Sequence, residues 1–499
     1  MPILVVFLLL LFPSPTFAQS PSKAKVTIGS KAFTESVILG EMLSQLSSHT
    51  GGDVNHRKQL GGTQVVYQGL LKGEIDAYVE YTGTISTEIL RSQPGISFDE
   101  MKRDLAEQGV EISNSLGFNN TYAIGIKQET ASKLGLKKIS DLQQHPDLRI
   151  GFSDEFLKRQ DGWPGLRRVY NLNNASPRGM DHALAYQALR TGSLDVIDLY
   201  TTDAEIQAEN LVVLEDDLHY FPEYQAVILY RDDLKYRAPQ AVNALLTLQE
   251  KINENTMIAL NAEAIIDHKS ERLIAATFLQ QNIDPTIPIP ATGQRQDIRR
   301  ALTDFLRNTY DHLFLVTISL AAAIIVSIPL GVVAYQNPKW GHLILTITGI
   351  IQTIPSLAIL VFMIPLIGLG TWPAIFALFL YSLLPIVRNT YTGLKNIPQS
   401  IHESAQALGL PMMARLLKIE LPLAARSILA GIKTAAVINV GTATIGALIG
   451  AGGYGQPILT GIRLLDYGLI FQGAIPAAIL ALLVEQVFNV FEKRFTTAS

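Results

Sequence analysis

The chain has 499 residues, 48% of them hydrophobic and 17% charged, and a formal net charge of −4. So small a net charge gives no reason to expect nucleic-acid binding. The absence of cysteine excludes disulfides, thiolate metal sites, a thiol nucleophile and a cysteine-linked lipid anchor. The length suffices for two or three domains, and the composition is split. Residues 20–300 have the composition of a soluble protein, whereas apolar runs typical of membrane-spanning helices follow Leu313.

Residues 1–18 have the features of a secretory signal peptide. The apolar stretch at 3–12 is too short to span a bilayer. Pro13 and Pro15 interrupt it, and Ala18 is suited to the end of a cleavage site. The segment contains no Lys or Arg, so an uncleaved anchor is the alternative. Both interpretations predict that the residues that follow lie outside the cytoplasm.

Residues 24–285 alternate short β-rich runs with longer helical patterns, which predicts one extracytoplasmic α/β domain with largely parallel sheets. Its size fits one compact body or two lobes equally well. The predicted strands and their exits are 26–30, 148–153, 194–203, 211–217 and 226–233, and the clearest helices are 35–46, 181–191 and 239–253.

Three prolines and a glycine between residues 284 and 296 predict a stiff, extended linker. The predicted linker and a short amphipathic helix occupy 286–309. We expect that helix, at about 295–309, to lie on the outer membrane surface. A membrane domain is predicted at 310–494.

Five apolar spans are predicted in the membrane domain. A helix of about 24 residues is about 36 Å long, enough to cross a ~30 Å hydrocarbon core with some tilt. Pro355 lies in the middle of the second span, where neighbouring groups must satisfy the carbonyl that proline leaves free. The spans are 312–335, 344–366, 371–388, 427–451 and 471–491.

The basic residues provide an independent test of orientation. If the chain starts outside, five spans place the loops at 336–343 and 389–426 and the C-terminal segment inside. Arg463 is the one basic residue in the outer loops after the first span, so the positive-inside rule agrees. The basic residues of the inner segments are Lys339, Lys395, Arg415, Lys418, Arg426, Lys493 and Arg494.

The inner loop contains a polar island at 403–422, with the sequence ESAQALGLPMMARLLKIELP. It resembles the EAA loop of ABC-importer permeases, with Ser404 in place of the first alanine. The resemblance implies a short cytoplasmic helix, a glycine turn and a second helical segment that docks on a separate ATPase. An ordinary basic loop of another membrane protein is the alternative. The matching residues are Glu403, Ala405, Gly409, Ile419, Leu421 and Pro422.

The chain has no G-x-x-x-x-G-K-[ST] phosphate-binding loop. ATP and Mg²⁺ are therefore expected on partner ATPase subunits, with no cofactor or metal on this chain.

Several short motifs lie along the two halves of the chain. They are GSKAFTES (29–36), EYTGT (80–84), EFLKRQDGWPGL (155–166), DLYTTD (198–203) and FPEYQAV (221–227) in the soluble half, and IQTIPSLA (351–358) and GAGGYGQPI (450–458) in the membrane half. With these motifs the soluble half resembles the binding proteins of quaternary-amine (glycine betaine, choline, carnitine) ABC importers. This resemblance implies a two-lobed, periplasmic-binding-protein-like (type II) α/β domain, followed by an all-α polytopic permease of the type I importer class.

The ligand that this family binds explains the aromatic residues. A trimethylammonium group cannot donate a hydrogen bond, so a site selects it by shape and by cation–π attraction to aromatic faces. The resemblance assigns this cage to Tyr81, Tyr122, Tyr200 and Tyr224, with Asn120 adding a backbone carbonyl.

The resemblance assigns the ligand carboxylate to Lys31, Thr84 and Arg159, and either Glu155 or Asp161 is expected to orient the arginine. Arg can bind both carboxylate oxygens in a fork, whereas Lys acts as a point charge. These groups favour a zwitterion such as glycine betaine over choline, although a hydroxyl can also accept a hydrogen bond from Lys or Arg.

Together, these features predict a non-enzymatic binding-and-permease subunit of an ABC importer for quaternary-ammonium solutes in the plasma (inner) membrane. Because five spans are too few for a complete importer, a homodimer with two ATPase subunits is expected. The alternatives are an amino-acid ABC importer and a ligand-gated channel or receptor. A channel would usually carry its pore within the binding domain, and a receptor would usually end in a signalling domain.

Overall fold

The computed structural model describes residues 24–92, 96–173, 175–290, 294–464 and 466–496, and the predicted signal peptide lies outside them. Ten strands form two five-stranded sheets, in the orders β2-β1-β3-β10-β4 and β7-β6-β8-β5-β9. The strands are β1 Lys25–Gly29, β2 Asp53–Arg57, β3 Ala77–Tyr81, β4 Val110–Ile112, β5 Tyr122–Lys127, β6 Ile150–Ser153, β7 Arg178–Met180, β8 Val196–Tyr200, β9 Leu211–Leu214 and β10 Ala226–Arg231.

Both sheets are mixed, so the prediction of largely parallel sheets was wrong. β1 runs parallel to β2 and β3, and β6 runs parallel to β7 and β8. β10 is antiparallel to β3 and β4, and β5 is antiparallel to β8 and β9. The chain crosses between the sheets after β4 and again after β9, and the two crossings meet at an antiparallel bridge between Asn119 and Gln225. The strand that follows each crossing, β5 or β10, runs antiparallel to its neighbours in the sheet it enters. The two lobes are therefore joined by the two crossing segments, which pair with each other.

Helices cover the sheets on the outside. The buried helix α1 packs against β1, β2 and β3 and against α10, α11 and α12, which explains why most of its residues are buried. Asp181 accepts a hydrogen bond from the backbone N–H of Ala183 and caps α7. The helices are α1 Thr34–His49, α2 Thr63–Leu71, α3 Thr82–Thr84, α4 Phe98–Ala106, α5 Gln128–Leu134, α6 Trp163–Val169, α7 His182–Arg190, α8 Glu205–Ala208, α9 Leu234–Arg237, α10 Pro239–Leu246, α11 Glu254–Ile265 and α12 Glu271–Asn282, with a π-helical turn at Ile85–Ile89 and a 3₁₀ helix at Ile139–Gln144.

The second half is helical. In the described part of the chain, four stretches are long and apolar enough to cross a membrane: Ala301–Gln336, Thr371–Lys395, Met412–Ile449 and Tyr467–Glu492. The helices are α13 Gln294–Gln336, α14 Pro338–Thr353, α15 Ser356–Ile367, α16 Thr371–Lys395, α17 Gln399–Ala407, α18 Met412–Arg415, α19 Leu421–Thr442, α20 Gly455–Arg463 and α21 Tyr467–Thr496, with a π-helical turn at Leu416–Glu420 and a 3₁₀ helix at Ala443–Ile449.

Two predicted elements of this half differ from the structure. The predicted surface helix at 295–309 is not a separate element, because α13 runs unbroken for 43 residues. The predicted second span is bent by 97° between α14 and α15. Ile354, which precedes Pro355, has an extended backbone with φ −69° and ψ 129°. A proline disfavours the helical conformation of the residue before it, and this restriction breaks the span.

The first lobe rests directly on the membrane domain. Leu60 and Leu70 of the lobe belong to one continuous hydrophobic core with Leu369 and Ile449 of the membrane half. The Lys72 ammonium group donates hydrogen bonds to the last carbonyls of α15, one of them at 2.8 Å. Apolar packing and hydrogen bonds to a helix terminus therefore join the two halves.

Candidate ligand-binding cleft and coupling loop

Four tyrosines meet where the two lobes face each other. Tyr81 ends β3 and Tyr224 shortly precedes β10 in the first sheet, whereas Tyr122 starts β5 and Tyr200 ends β8 in the second. Tyr122 and Tyr200 are direct cross-strand partners, with ring centroids 5.1 Å apart. The ring of Tyr224 meets that of Tyr122 edge-on at 5.8 Å. Strand ends from both sheets therefore bring together the four rings that the sequence predicted.

Phe33 completes this aromatic cluster and was missed at the sequence level. Its ring lies 5.5 Å from Tyr200 and 6.3 Å from Tyr81, and thereby connects Tyr81 to the other rings. Phe156 lies 5.0 Å from Tyr122 on the opposite side. Phe33 belongs to the GSKAFTES motif. Its position close to Lys31 in that motif was the sequence feature that could have indicated it.

Two of the tyrosines donate hydrogen bonds to buried carboxylates. Burial raises the pKa of all four phenols well above its usual value, so they remain neutral. The Tyr81 hydroxyl donates to Glu35 at 2.5 Å, and the Tyr224 hydroxyl donates to Asp161 at 2.7 Å. A phenol that donates to an anion has a more negative ring face, which suits a cationic ligand.

Arg159 is buried beside the tyrosines, and Asp161 orients it. The guanidinium donates to both carboxylate oxygens of Asp161, at 2.8 and 2.5 Å, whereas Glu155 is 3.6 Å away. It also donates to the Thr84 hydroxyl at 3.2 Å and lies 5.4 Å from the Tyr122 ring centroid. Burial alone would raise the pKa of Asp161, but Arg159 outweighs burial and lowers it. This fork is therefore ionised.

Lys31 lies on a different side of the cluster. Its ammonium group forms a 2.5 Å ion pair with Glu80 and lies 4.8 Å from the Tyr81 ring centroid. The structure thus brings Thr84 and Arg159 together but holds Lys31 at the Tyr81 face. Each of the two cationic side chains already has a carboxylate partner.

Asn120 lies in the first crossing segment. Its backbone N–H donates to the carbonyl of Tyr224 at 3.1 Å, and its side-chain amide donates to Glu35 at 2.9 Å. Among the residues that the structure describes, the buried Oδ1 of Asn120 has no hydrogen-bond partner. Asn120 therefore connects the two crossing segments beside the tyrosines.

A second site lies at 399–422, which we call the coupling loop. Helix α17 exposes Glu403 and buries Ala405, and Gly409 then turns the chain with φ +70°. A second helical segment follows, so the helix, turn and helix occur in the predicted order. That segment carries the remaining motif residues: Ile419 lies in the π-helical turn, and Leu421 and Pro422 start α19.

A buried carboxylate that the motif did not identify connects the two parts of the coupling loop. Glu420 accepts a hydrogen bond from Arg415 at 2.9 Å and pairs with His402 of α17 at 3.1 Å. The other nitrogen of the His402 ring lies 3.2 Å from the hydroxyl of Tyr335 in α13. Because Glu420 occupies the variable position of the I-x-L-P pattern, the sequence pattern gave no sign of this role.

Polar contacts join both lobes to the membrane domain. Arg463 forms a buried ion pair with Glu271 and donates to the Thr34 hydroxyl at 3.1 Å. In the second lobe, the Gln187 amide donates to the Tyr467 hydroxyl at 3.0 Å. The single basic residue of the predicted outer loops is therefore used to contact the binding domain.

A cavity of about 120 Å³ lies between the tyrosines and the membrane domain. Tyr200 and Asn120 line it from the binding domain, and Leu448 and Ile462 line it from the membrane domain. The cleft and the membrane helices thus share one cavity.

Two protein families match the two halves of the chain. Residues 24–281 match the substrate binding domain of ABC-type glycine betaine transport system. Residues 323–497 match the binding-protein-dependent transport system inner membrane component.

Individual relatives agree with this division. The choline transport system permease protein OpuBB of Bacillus subtilis is 43% identical over 195 residues, which cover 39% of this chain and 90% of that protein. The carnitine transport binding protein OpuCC of Listeria monocytogenes is 31% identical over 297 residues, covering 56% of this chain and 96% of that protein. The ergothioneine transport permease/ergothioneine binding protein EgtU of Helicobacter pylori is 32% identical over 286 residues, covering 56% of this chain and 52% of that protein.

A crystal structure described as a glycine betaine/carnitine/choline ABC transporter is 32% identical, with a TM-score of 0.44, and covers 52% of this chain and 98% of that one.

Proposed function

Because this chain belongs to the family of ABC-type glycine betaine transport systems, with a binding domain and a permease domain in one polypeptide, we propose that it imports glycine betaine. The chain is a multi-pass membrane protein of this importer family. The preferred ligand, the ATPase partner, the homodimer and the extracytoplasmic position of the binding domain are parts of the proposal.

The observation that carries the choice of ligand is the tyrosine cluster with Arg159 beside it. Four rings and Phe33 offer aromatic faces to a trimethylammonium group, and each well-placed ring contributes about 0.5–2 kcal/mol. Arg159 and Thr84 supply donors for a carboxylate on the Tyr122 side of the cluster. A short zwitterion with both groups, such as glycine betaine, satisfies the two ends at once.

Ergothioneine is the second candidate, since the fused relative EgtU is named for it. It carries the same trimethylammonium and carboxylate groups together with a larger sulfur-containing ring. Choline lacks the carboxylate, and ordinary amino acids lack the methylated cation. The inner-membrane family match supports an importer rather than a ligand-gated channel.

A calorimetric titration of the full chain in lipid nanodiscs tests the proposal. Glycine betaine, proline betaine, carnitine, choline, ergothioneine and amino acids form the panel, and we expect glycine betaine to bind most tightly. Tyr81→Ala combined with Tyr200→Ala removes two rings, so Kd should rise about 5- to 1000-fold. Tyr236→Ala, at an exposed tyrosine remote from the cleft, is the control. Unchanged affinity in the double variant would refute the cage assignment.

The coupling loop supports a separate ATPase as the energy source. We propose that two ATPase subunits, holding ATP and Mg²⁺, dock on Glu403 and the rest of α17 of two copies of this chain. In proteoliposomes containing the ATPase, betaine uptake should require ATP, and Glu403→Lys should reduce it without changing ligand affinity. Uptake that persists without ATP would contradict this part of the proposal.

The exposed apolar surface of the membrane domain supports the homodimer. Within this chain, only 6% of the most apolar stretch of α21 is buried. The surface of α21 is therefore left to contact lipid or a second copy of the chain. Native mass spectrometry of the nanodisc complex should give two copies of the chain and two ATPase subunits. A complex containing one copy would contradict the homodimer.

A further inference from the structure

Glu35 is a buried carboxylate held entirely by uncharged donors. Its side chain lies in the first turn of α1, and the residue is 2% exposed. One oxygen accepts hydrogen bonds from Tyr81 at 2.5 Å and Asn120 at 2.9 Å. The other accepts from Thr202 at 2.6 Å and Asn261 at 3.1 Å. Among the residues that the structure describes, no Lys, Arg or His forms an ion pair with it.

The donors to Glu35 come from both lobes. Tyr81 ends β3 in the first sheet, Thr202 closely follows β8 in the second, and Asn120 lies in the crossing segment between them. When the lobes separate, the carboxylate loses Thr202 and is opened to water. Closing the lobes therefore removes one negative charge from water, and burial raises the pKa of Glu35 accordingly.

The other carboxylates that contact the four tyrosines have cationic partners. Glu80 pairs with Lys31, Asp161 with Arg159, and Asp203 with His182. Glu205 is a further buried carboxylate and lines the cavity beside the cluster. Glu35 is thus the carboxylate in contact with the tyrosine cluster that lacks a cationic partner among the described residues. Its partner Tyr81 transmits its charge to the aromatic cage through a hydrogen bond to the ring hydroxyl.

We propose that Glu35 determines the charge selectivity of the cleft, by making closure of the lobes favourable over a ligand with a quaternary ammonium group and unfavourable over one without it. The inference rests on the proposed binding of a quaternary ammonium ion. A ligand without a positive group leaves a desolvated carboxylate with no cation beside it in the closed cleft, which is destabilising. A trimethylammonium group against Tyr81 provides the missing positive charge without a hydrogen bond. Glu35 thus acts as a positioning residue that contacts the ligand only through Tyr81.

Two ligands of equal shape separate charge from packing. Glycine betaine and the anion of tert-butylacetic acid differ only in a positively charged nitrogen that replaces a neutral carbon. The ratio of their Kd values, measured by calorimetry on the full chain in nanodiscs, reports selectivity for charge. A change that only loosens the fold alters both affinities and leaves their ratio unchanged.

Glu35→Gln removes the charge and keeps the shape. The hydroxyls of Tyr81 and Thr202, which donate to Glu35, can accept as well as donate, so the new amide can keep a hydrogen-bond partner. The variant should bind glycine betaine about 10- to 100-fold more weakly, because the partly screened attraction between the Glu35 carboxylate and the ligand's ammonium group is lost. The tert-butylacetate anion, which has no positive group, should bind equally well or better. Glu41→Gln is the control, because Glu41 is buried in the same helix and pairs with Lys58 away from the cleft.

Tyr81→Phe provides a second, independent variant, since it removes only the hydroxyl between ring and carboxylate. In this variant, the Kd of the tert-butylacetate anion divided by the Kd of glycine betaine should fall severalfold. If Glu35→Gln is unstable, this variant decides alone. A wild-type preference for glycine betaine that is unchanged in the variants overturns the role of Glu35 and leaves the proposed function intact. A wild-type chain without that preference overturns both.

Discussion

The ion pair between Glu271 and Arg463 allows a quantitative test of how the binding domain docks on its own membrane domain. Glu271 starts α12 and Arg463 ends α20, so each charge lies at the helix end that favours it. The two residues are 8% and 9% exposed. Burial alone would raise the pKa of Glu271, but the charges of Arg463 and Lys58 and the hydrogen bond from Arg463 together outweigh burial and lower it.

Removing one partner of this pair should weaken docking substantially. Breaking a buried ion pair leaves an uncompensated charge and costs about 3–5 kcal/mol. At about 1.4 kcal/mol per tenfold, even the lower figure shifts the docking equilibrium on the order of 100-fold. Arg463→Gln and Glu271→Gln should therefore have similar effects, since either change leaves a charge unpaired.

Cysteine cross-linking can measure this shift, because the chain has no cysteine of its own. Gln187→Cys and Tyr467→Cys place the reporter at the other contact between the domains, where the native side chains are 3.0 Å apart. The rate of cross-linking by a short bifunctional reagent reports the docked fraction. We expect Arg463→Gln to reduce that rate strongly.

A charge exchange distinguishes the pair from general damage. Combining Glu271→Arg with Arg463→Glu should recover part of the cross-linking that either change alone removes. Lys269→Gln, at an exposed ion pair nearby, should have little effect. The reasoning is refuted if the single variants cross-link like the parent chain or if the exchange recovers nothing.

Three further predictions concern pH, the coupling loop and the ligand carboxylate. Burial raises the pKa of Glu205 to about 7. Burial alone would lower the pKa of His182, but the hydrogen bond to Asp203 and the charges of Asp203, Asp198 and Glu205 together outweigh burial and raise it to about 9. Both groups therefore stabilise the fold below their unfolded pKa values, and this contribution is lost as pH rises through 7 and then 9. In urea unfolding experiments, Glu205→Gln should reduce the fall in the free energy of unfolding as pH rises towards 7. An unchanged pH profile in this variant would contradict the prediction. Gly409→Ala should destabilise the coupling loop by about 1–2 kcal/mol, measured as faster hydrogen exchange, because its φ is +70° and its surroundings are open. Arg159→Lys replaces the guanidinium fork, which can bind both oxygens of the ligand carboxylate, by a single ammonium group. The Kd for glycine betaine should therefore rise about 10- to 100-fold. An unchanged Kd would exclude a contact between Arg159 and the ligand carboxylate.

The resemblance to a known family was sufficient to predict the four tyrosines of the cluster. Tyr81, Tyr200 and Tyr224 lie in three different motifs and Tyr122 lies outside them. The structure brings the four together because each lies at or near a strand end facing the cleft. Their roles as ligand contacts stay predictions. Glu35 was not singled out, although it lies in a motif, because a glutamate in the first turn of a helix usually has a local role.

In the membrane half, hydropathy predicted where the spans lie but not where the helices begin or bend. Apolar composition identified the spans, since burial in lipid demands it over a fixed length. It did not reveal that α13 extends without a break through 295–309, because amphipathic and apolar segments can share one helix. Nor did it reveal the 97° bend at Pro355, which depends on where the freed backbone groups find partners.

The amino-acid sequence by itself determined the two-part organisation. Through the resemblance of its motifs to known families, it also indicated the four tyrosines of the cleft and the helix–turn–helix form of the coupling loop. These depend on composition, periodicity and short motifs, which act over neighbouring residues. Only the tertiary structure decided that the sheets are mixed, that Glu35 is buried without a cation, and that Glu271 pairs with Arg463. Such features join residues up to 226 positions apart, and burial and charge pairing over that separation arise only when the chain is packed.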